Sequence, residues 1–215
     1  SKNSNESYSV IKHRNRVVLD QVKALPSGAR FIDVGCGTGQ LVLEAAELGL
    51  ESSGLDIAQE MIRVCEHNKT TNSRAAKFIC SSFFDTSFEK HSFDLVSALG
   101  FIEYLGLDDL PIFFEKVWKM LAVGGVFAVG SRNRLFNAFS MNSFSQMEMD
   151  LKNFDNLVRQ STMLQNSSSQ ETVISQMIST SEIEAQPTVH PHTGINVATR
   201  YQFSPGELLV RLNHA

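Results

Sequence analysis

Three glycines at alternate positions, Gly35, Gly37 and Gly39, follow the acid Asp33 in the stretch FIDVGCGTGQL at 31–41, and a helical pattern starts directly after them. Residues without side chains let backbone approach a ligand closely, and a helix N-terminus presents N–H groups that its own carbonyls cannot take. The chemistry of such a junction is binding. The dinucleotide fingerprint G-x-G-x-x-G needs its third glycine five residues after the first, and that position is Gln40. Here the third glycine comes four residues on, which disfavours a pyrophosphate cradle and favours a ligand with a small zwitterionic end. A second acid, Asp56, stands 17 residues beyond Gly39. A carboxylate at the end of a second strand can accept from both ribose hydroxyls, because it offers two oxygens side by side. The same residue is also placed to cap the helical segment at 58–67.

These residues need elements to hold them. The apolar run ending at Asp33 reads as a buried strand. Leu41, Val42, Ala45, Ala46 and Leu48 form one helical stripe that Gly49 ends. Residues 51–56 read as a second strand, 75–80 as a third and 93–100 as a fourth. Leu110, Phe113, Phe114, Val117, Met120 and Leu121 make another helical stripe, with Asp108 and Asp109 in its acidic first turn. A glycine pair within 122–125 then leads to a fifth strand at 126–130. Ahead of them all, Ile11, Val18, Val22 and Leu25 share a face of a helix at 8–25, with His13, Arg14 and Arg16 on its exposed side. Strands alternating with helices make a doubly wound, mostly parallel sheet the natural architecture, an α/β fold of Rossmann-like type.

D-V-G-C-G-T-G after a strand resembles motif I of the class I S-adenosylmethionine (SAM)-dependent methyltransferases. The F-D-L-V opening of the fourth strand, the glycine pair before the fifth, and F-S-P-G-E-L at 203–208 are similar to further elements of that family. The resemblance covers roughly 31–130, with an echo at 201–209, and it implies SAM as cofactor and S-adenosylhomocysteine as product. It assigns Gly35, Gly37 and Gly39 to the methionine end and Asp56 to the ribose, with Asp33 and Cys36 also among the cofactor-binding residues. Ile57 and Met61 would flank the adenine, or Met61 is ordinary core. Ser82 and Phe83 stand where the family commonly carries an aspartate and an apolar residue at the adenine edge; the aspartate is absent. Leu99 and Gly100 would form the floor beneath the sulfur. Tyr8 and Arg14 belong to a helix that in such enzymes forms a lid, with Arg14 able to pair with the methionine carboxylate; a solvated helix on the sheet is the alternative. Glu103 and Tyr104 fall where acceptor and methyl group should meet, or are ordinary loop residues. No [DNS]-P-P-[YFW] element and no double-glutamate loop follows the fourth strand.

Bulk properties narrow the partners. The 215 residues carry a net charge of −4 with no long basic run, which disfavours nucleic acid. The three cysteines show no metal-ligand spacing, so a reducing cytoplasm is expected and no metal. No apolar run reaches membrane-spanning length. Position 1 is Ser rather than Met, so residues are expected to have been removed or replaced there; the family's closing strand pair is missing, so the sequence is expected to be a fragment. From Arg132 the composition turns to Asn, Ser, Gln and Met, with a helical pattern at 140–165 and an alternating one at 172–183. Met141, Met147, Met149, Met163 and Met177 suggest an adaptable apolar surface: an acceptor cap, a homodimer interface or a membrane-facing patch. The expected division is 1–28 as lid, 29–131 as SAM-binding core, 132–200 as acceptor cap and 201–215 as a return to the core. His190 and His192 suggest half a metal site without a third ligand, or a general base; singly each also suits a surface loop. The expected activity is methyl transfer to oxygen or nitrogen of a small molecule by in-line displacement, with Tyr104, His190 and His192 on the acceptor side. A catalytically silent SAM-binding partner subunit is the alternative.

Overall fold

The computed structural model of the chain describes residues 10–166, 169–187 and 201–214. Two units interleave along the sequence: 1–99 with 119–129, and 100–118 with 130–215.

In the first unit, helix α1, Val10–Ala24, buries Val18 and Val22, one turn apart. Strand β1, Arg30–Val34, is buried almost throughout. Helix α2, Gln40–Glu47, hides Leu41, Val42 and Ala45, and β2, Glu51–Asp56, follows. Helix α3, Gln59–His67, buries Ile62 and Cys65. Strand β3, Lys77–Cys80, is shorter than the sequence suggests, because Ala75 lies in a turn in which Ala76 N–H donates to Ser73 O at 3.0 Å. Strand β4, Phe93–Leu99, is buried in its middle. Helix α4, Asp109–Met120, runs from the second unit into the first. Strand β5, Leu121–Gly130, starts directly after it and takes in the glycine pair expected to precede it.

The sheet order is β3-β2-β1-β4-β5, and the pairs β1–β2, β1–β4 and β2–β3 are parallel. Successive strands step one way from β1 and then the other from β4, so the carboxyl ends of β1 and β4 flank the crevice where α/β sheets bind ligands. The register sets Asp33 beside Gly54 on one side and Ser97 on the other. Phe31, Val42, Ala45, Cys65 and Leu95 are among the residues of the core. At the opposite strand ends, Asp94 takes the backbone N–H of Arg30 at 2.8 Å and its guanidinium at 3.0 and 3.1 Å. The F-D-L-V acid is thus a tie between β1 and β4.

The second unit is helical. A short 3₁₀ turn, Ile102–Tyr104, precedes α4. After β5 come α5, Leu135–Phe139; α6, Ser143–Asp150; α7, Phe154–Asn166; α8, Gln170–Thr180; and α9, Pro205–Asn213. Leu135, Ala138 and Leu157 form a small core with Phe154 and Val158. The alternating stretch expected at 172–183 is instead α8 over most of its length. Its buried residues are Val173 and Met177, four apart, and Ser169 caps its start by accepting the Thr172 N–H. Met177 is 1% exposed, so that methionine fills a core and presents no surface.

Candidate functional site

The glycine loop is sewn to the end of β2. The N–H groups of Gly35 and Cys36 both donate to the Leu55 carbonyl, at 2.8 and 3.0 Å, and Gly39 N–H donates to Cys36 O at 2.9 Å. Gly37 N–H donates to Asp56 Oδ2 at 2.9 Å. These four loop amides are all paired. They are consumed within the fold, because buried backbone donors need partners. The first turn of α2 behind them has no side-chain cap. Two of the glycines serve different ends. A Cβ on Gly39 would lie 2.7 Å from Cys65 Sγ, whereas one on Gly37 would meet nothing within 4 Å. Gly39 admits the packing beneath the loop; Gly37 faces open space.

Asp56 fills two roles. While one oxygen holds Gly37, Oδ1 accepts the Ala58 N–H at 2.9 Å, fixing the entry to α3. Each carboxylate oxygen keeps acceptor capacity beyond these bonds. Beside it, Ile57 is 75% exposed and Met61 40% exposed, which gives the acid an apolar flank open to solvent.

Asp33 lies buried one strand over and accepts the Ser97 hydroxyl at 2.5 Å. Burial pushes its carboxyl up to about 7, opposed by the Ser97 hydrogen bond and by the nearby charge of Arg14, and aided by Asp56. Arg14 is half-buried and its Nε is enclosed without a hydrogen-bond partner. It therefore does not share the exposed side of α1 with His13 and Arg16; α1 turns it towards the acid at the end of β1. Tyr8 lies outside the described residues.

Ser82 is partly buried, and its hydroxyl accepts the Phe84 N–H at 3.2 Å. Phe83 is 3% exposed, its ring packed with those of Phe84 and Phe88, so only its backbone can serve a ligand. Leu99 closes β4 in the first unit.

In the second unit, Gly100 N–H donates to Gly130 O at 2.7 Å. Tyr104 is half-exposed on the 3₁₀ turn. Glu103 is buried, pairs with Arg132 at 3.4 Å, and its carbonyl accepts the Tyr201 N–H at 2.8 Å. His190 and His192 lie outside the described residues.

Three neighbours of the loop escape a reading of the sequence. Ser97 sits unmarked in an apolar strand. Cys65 Sγ donates to Gly37 O at 3.2 Å. A Cβ on Gly54 would stand 2.8 Å from Cys36 Sγ. A glycine inside a strand is itself a signal of close approach, and Gly54 was the clue available.

A parallel α/β sheet with a glycine loop after β1 and an acid at the end of β2 is the architecture of the nucleotide-binding doubly wound class. Residues 32–129 match the family model described as a methyltransferase domain. A ubiquinone biosynthesis O-methyltransferase of Xanthomonas campestris pv. campestris is 34% identical over 131 residues, covering 59% of this chain and 54% of that protein. The chain spans about half the length of the curated relatives it matches. Among solved structures, a SAM-dependent methyltransferase of Methanosarcina mazei aligns with TM-score 0.60 at 18% identity, covering 96% of this chain and 84% of that one. One from Mesorhizobium loti aligns with TM-score 0.50 at 23% identity, covering 58% and 56%. Over residues 32–129 the chain is similar to the class I SAM-dependent methyltransferases, and the cofactor of that family is SAM.

Proposed function

We propose that the chain methylates a small molecule from SAM, at oxygen or nitrogen, by in-line displacement. SAM, when bound, supplies a methyl group already activated by the sulfonium. The residues present fit it. Open space over Gly37, the uncapped start of α2, the remaining acceptor capacity of Asp56 and the bare flank of Ile57 and Met61 match its amino-acid, ribose and adenine parts in that order. Asp33 and Arg14 bring one acid and one cation to the zwitterionic end, and Ser82 with the Phe83 backbone serves the adenine edge. What remains for the protein is positioning, worth about 7–11 kcal/mol in favourable intramolecular models. Tyr104 and the two histidines, with the segment at 132–200 as acceptor cap, are proposed for the acceptor side. The similarity to an O-methyltransferase of ubiquinone biosynthesis favours a hydroxyl of a small aromatic or quinone-like acceptor.

The observation that carries this proposal is the joining of Asp56 to the glycine loop. Calorimetry with SAM and S-adenosylhomocysteine tests it. Asp56→Ala should weaken binding at least about tenfold, since charge-assisted hydrogen bonds contribute roughly 1.5–3 kcal/mol each. Gly37→Ala separates loop damage from lost contacts. Its left-handed φ of 53° costs about 1–2 kcal/mol, so the fold should persist while binding falls. Unchanged affinity in both variants would place the cofactor elsewhere.

A further inference from the structure

Five charged side chains with no part in the proposed chemistry are gathered inside the second unit. Arg134, at the start of α5, and Glu148 of α6 are 1% and 0% exposed as side chains. Glu184, in the segment 181–187, is 1% exposed, and Glu207 of α9 is 0%. Arg211, also on α9, closes the rim at 10%. Arg134 holds Glu148 through Nε and Nη2 at 2.9–3.1 Å and donates to the Ala185 carbonyl at 2.6 Å. Its Nη1 stands 3.6 Å from Glu184 Oε2, and neither atom has a hydrogen-bond partner. Glu184 Oε1 accepts from Ser204, Asn156 and Gln160 at 2.7–3.0 Å. Glu207 accepts Nε and Nη2 of Arg211 at 2.9 and 2.7 Å, and Gln186 at 3.3 Å.

Among the described residues the charges do not balance. Three carboxylates face two guanidiniums. Among the described residues the neighbouring elements bring no compensation: Asp150 on α6, Asp155 and Arg159 on α7, Glu171 on α8 and Glu182 in the segment itself are exposed. Arg132 is engaged with Glu103. An uncompensated charge away from water is expensive, and a carboxylate relieves the cost by taking a proton.

Residues 181–187 form neither helix nor strand. Glu184, Ala185 and Gln186 tie that segment to Arg134 at the start of α5, to Asn153 just before α7, to Asn156 and Gln160 of α7 and to Glu207 of α9. We propose that the cluster is a proton-operated clasp: holding one proton it fastens residues 181–187 onto the helices, and on giving that proton to water it loosens them. Burial pushes Glu207 up to about 7 with the Glu184 charge adding to it, and burial raises Glu184 as well with the Glu148 charge adding to it. A raised folded-state pKa means that the fastening is complete at acid pH and is lost as pH rises through about 7.

Amide exchange of the full chain, corrected for the intrinsic pH dependence of exchange, tests the clasp without reference to methyl transfer. Between pH 6 and 8 the wild-type peptides covering 181–187 should lose protection roughly tenfold, the ratio that one pKa unit represents. Glu207→Gln should remove most of that response. Arg211→Met, at the rim, should move the midpoint to higher pH, because it deletes the cation that favours ionised Glu207. Protection that is flat with pH in the wild type overturns the proposal. So does an undiminished response in Glu207→Gln or, where that variant does not fold, a midpoint in Arg211→Met that stays put or falls.

Discussion

Asp33 shows how a single carboxyl is set by the strands around it. Arg14 and Ser97 favour its ionised form, yet burial outweighs both and lifts it to about 7. The folded chain therefore holds this proton more tightly than the unfolded one. The stability it contributes is complete below the ordinary aspartate range and is lost as pH rises through about 7. Asp33→Asn has no proton to lose. Thermal melts from pH 5 to 8 should show the wild type losing ground to the variant by up to a few kcal/mol, whatever constant offset the amide adds; a gap independent of pH would refute the assignment. The acid itself was legible, since it ends an apolar run before glycines. Ser97 was not, because a serine amid buried residues carries no periodic mark, and Arg14 was misplaced because three polar neighbours on α1 look alike in sequence.

Among the elements, caps and buried charges decided what pattern could not. The β-branched residues of 172–180 imitate a strand, but the spacing of Val173 and Met177 and the cap at Ser169 make α8. A similar cap starts α9, where Ser204 accepts the Glu207 N–H at 3.1 Å. The two caps differ in surroundings: Ser204 is fully buried and also donates to Glu184, while Ser169 is exposed. Ser169→Ala should cost about 0.5–1 kcal/mol. Ser204→Ala should cost about 2 kcal/mol or more, since it also strips a partner from a buried carboxylate. Denaturant midpoints that rank the pair the other way would remove Ser204 from the cluster. Nothing in the sequence announced this network, for Arg134, Glu148, Glu184 and Glu207 lie scattered over 74 positions.

Across the whole molecule, the order of strands and helices was readable from hydrophobic runs and glycine breaks, and the five-stranded sheet matches that expectation. The Met-rich later segment was not, because composition does not distinguish a methionine that fills a core from one that faces outward: Met141 is 88% exposed and Met177 is 1%. Thiol chemistry reports on the assembled fold. Cys36 and Cys65 are buried, and burial raises both thiols, whereas Cys80 is exposed on the edge strand. A disulfide reagent should modify one thiol quickly in the native chain and all three after denaturation; rapid reaction of more than one would contradict the packing beneath the loop.

That packing has a consequence for recognition. The loop spends its amides on Leu55, Cys36 and Asp56, so its contour exists before any guest arrives and little entropy is forfeited on capture. The recess is a mould already set. Under the proposed function, telling the charged methyl donor from its neutral product falls to groups outside the mould, and the two ligand complexes should superimpose across residues 35–39.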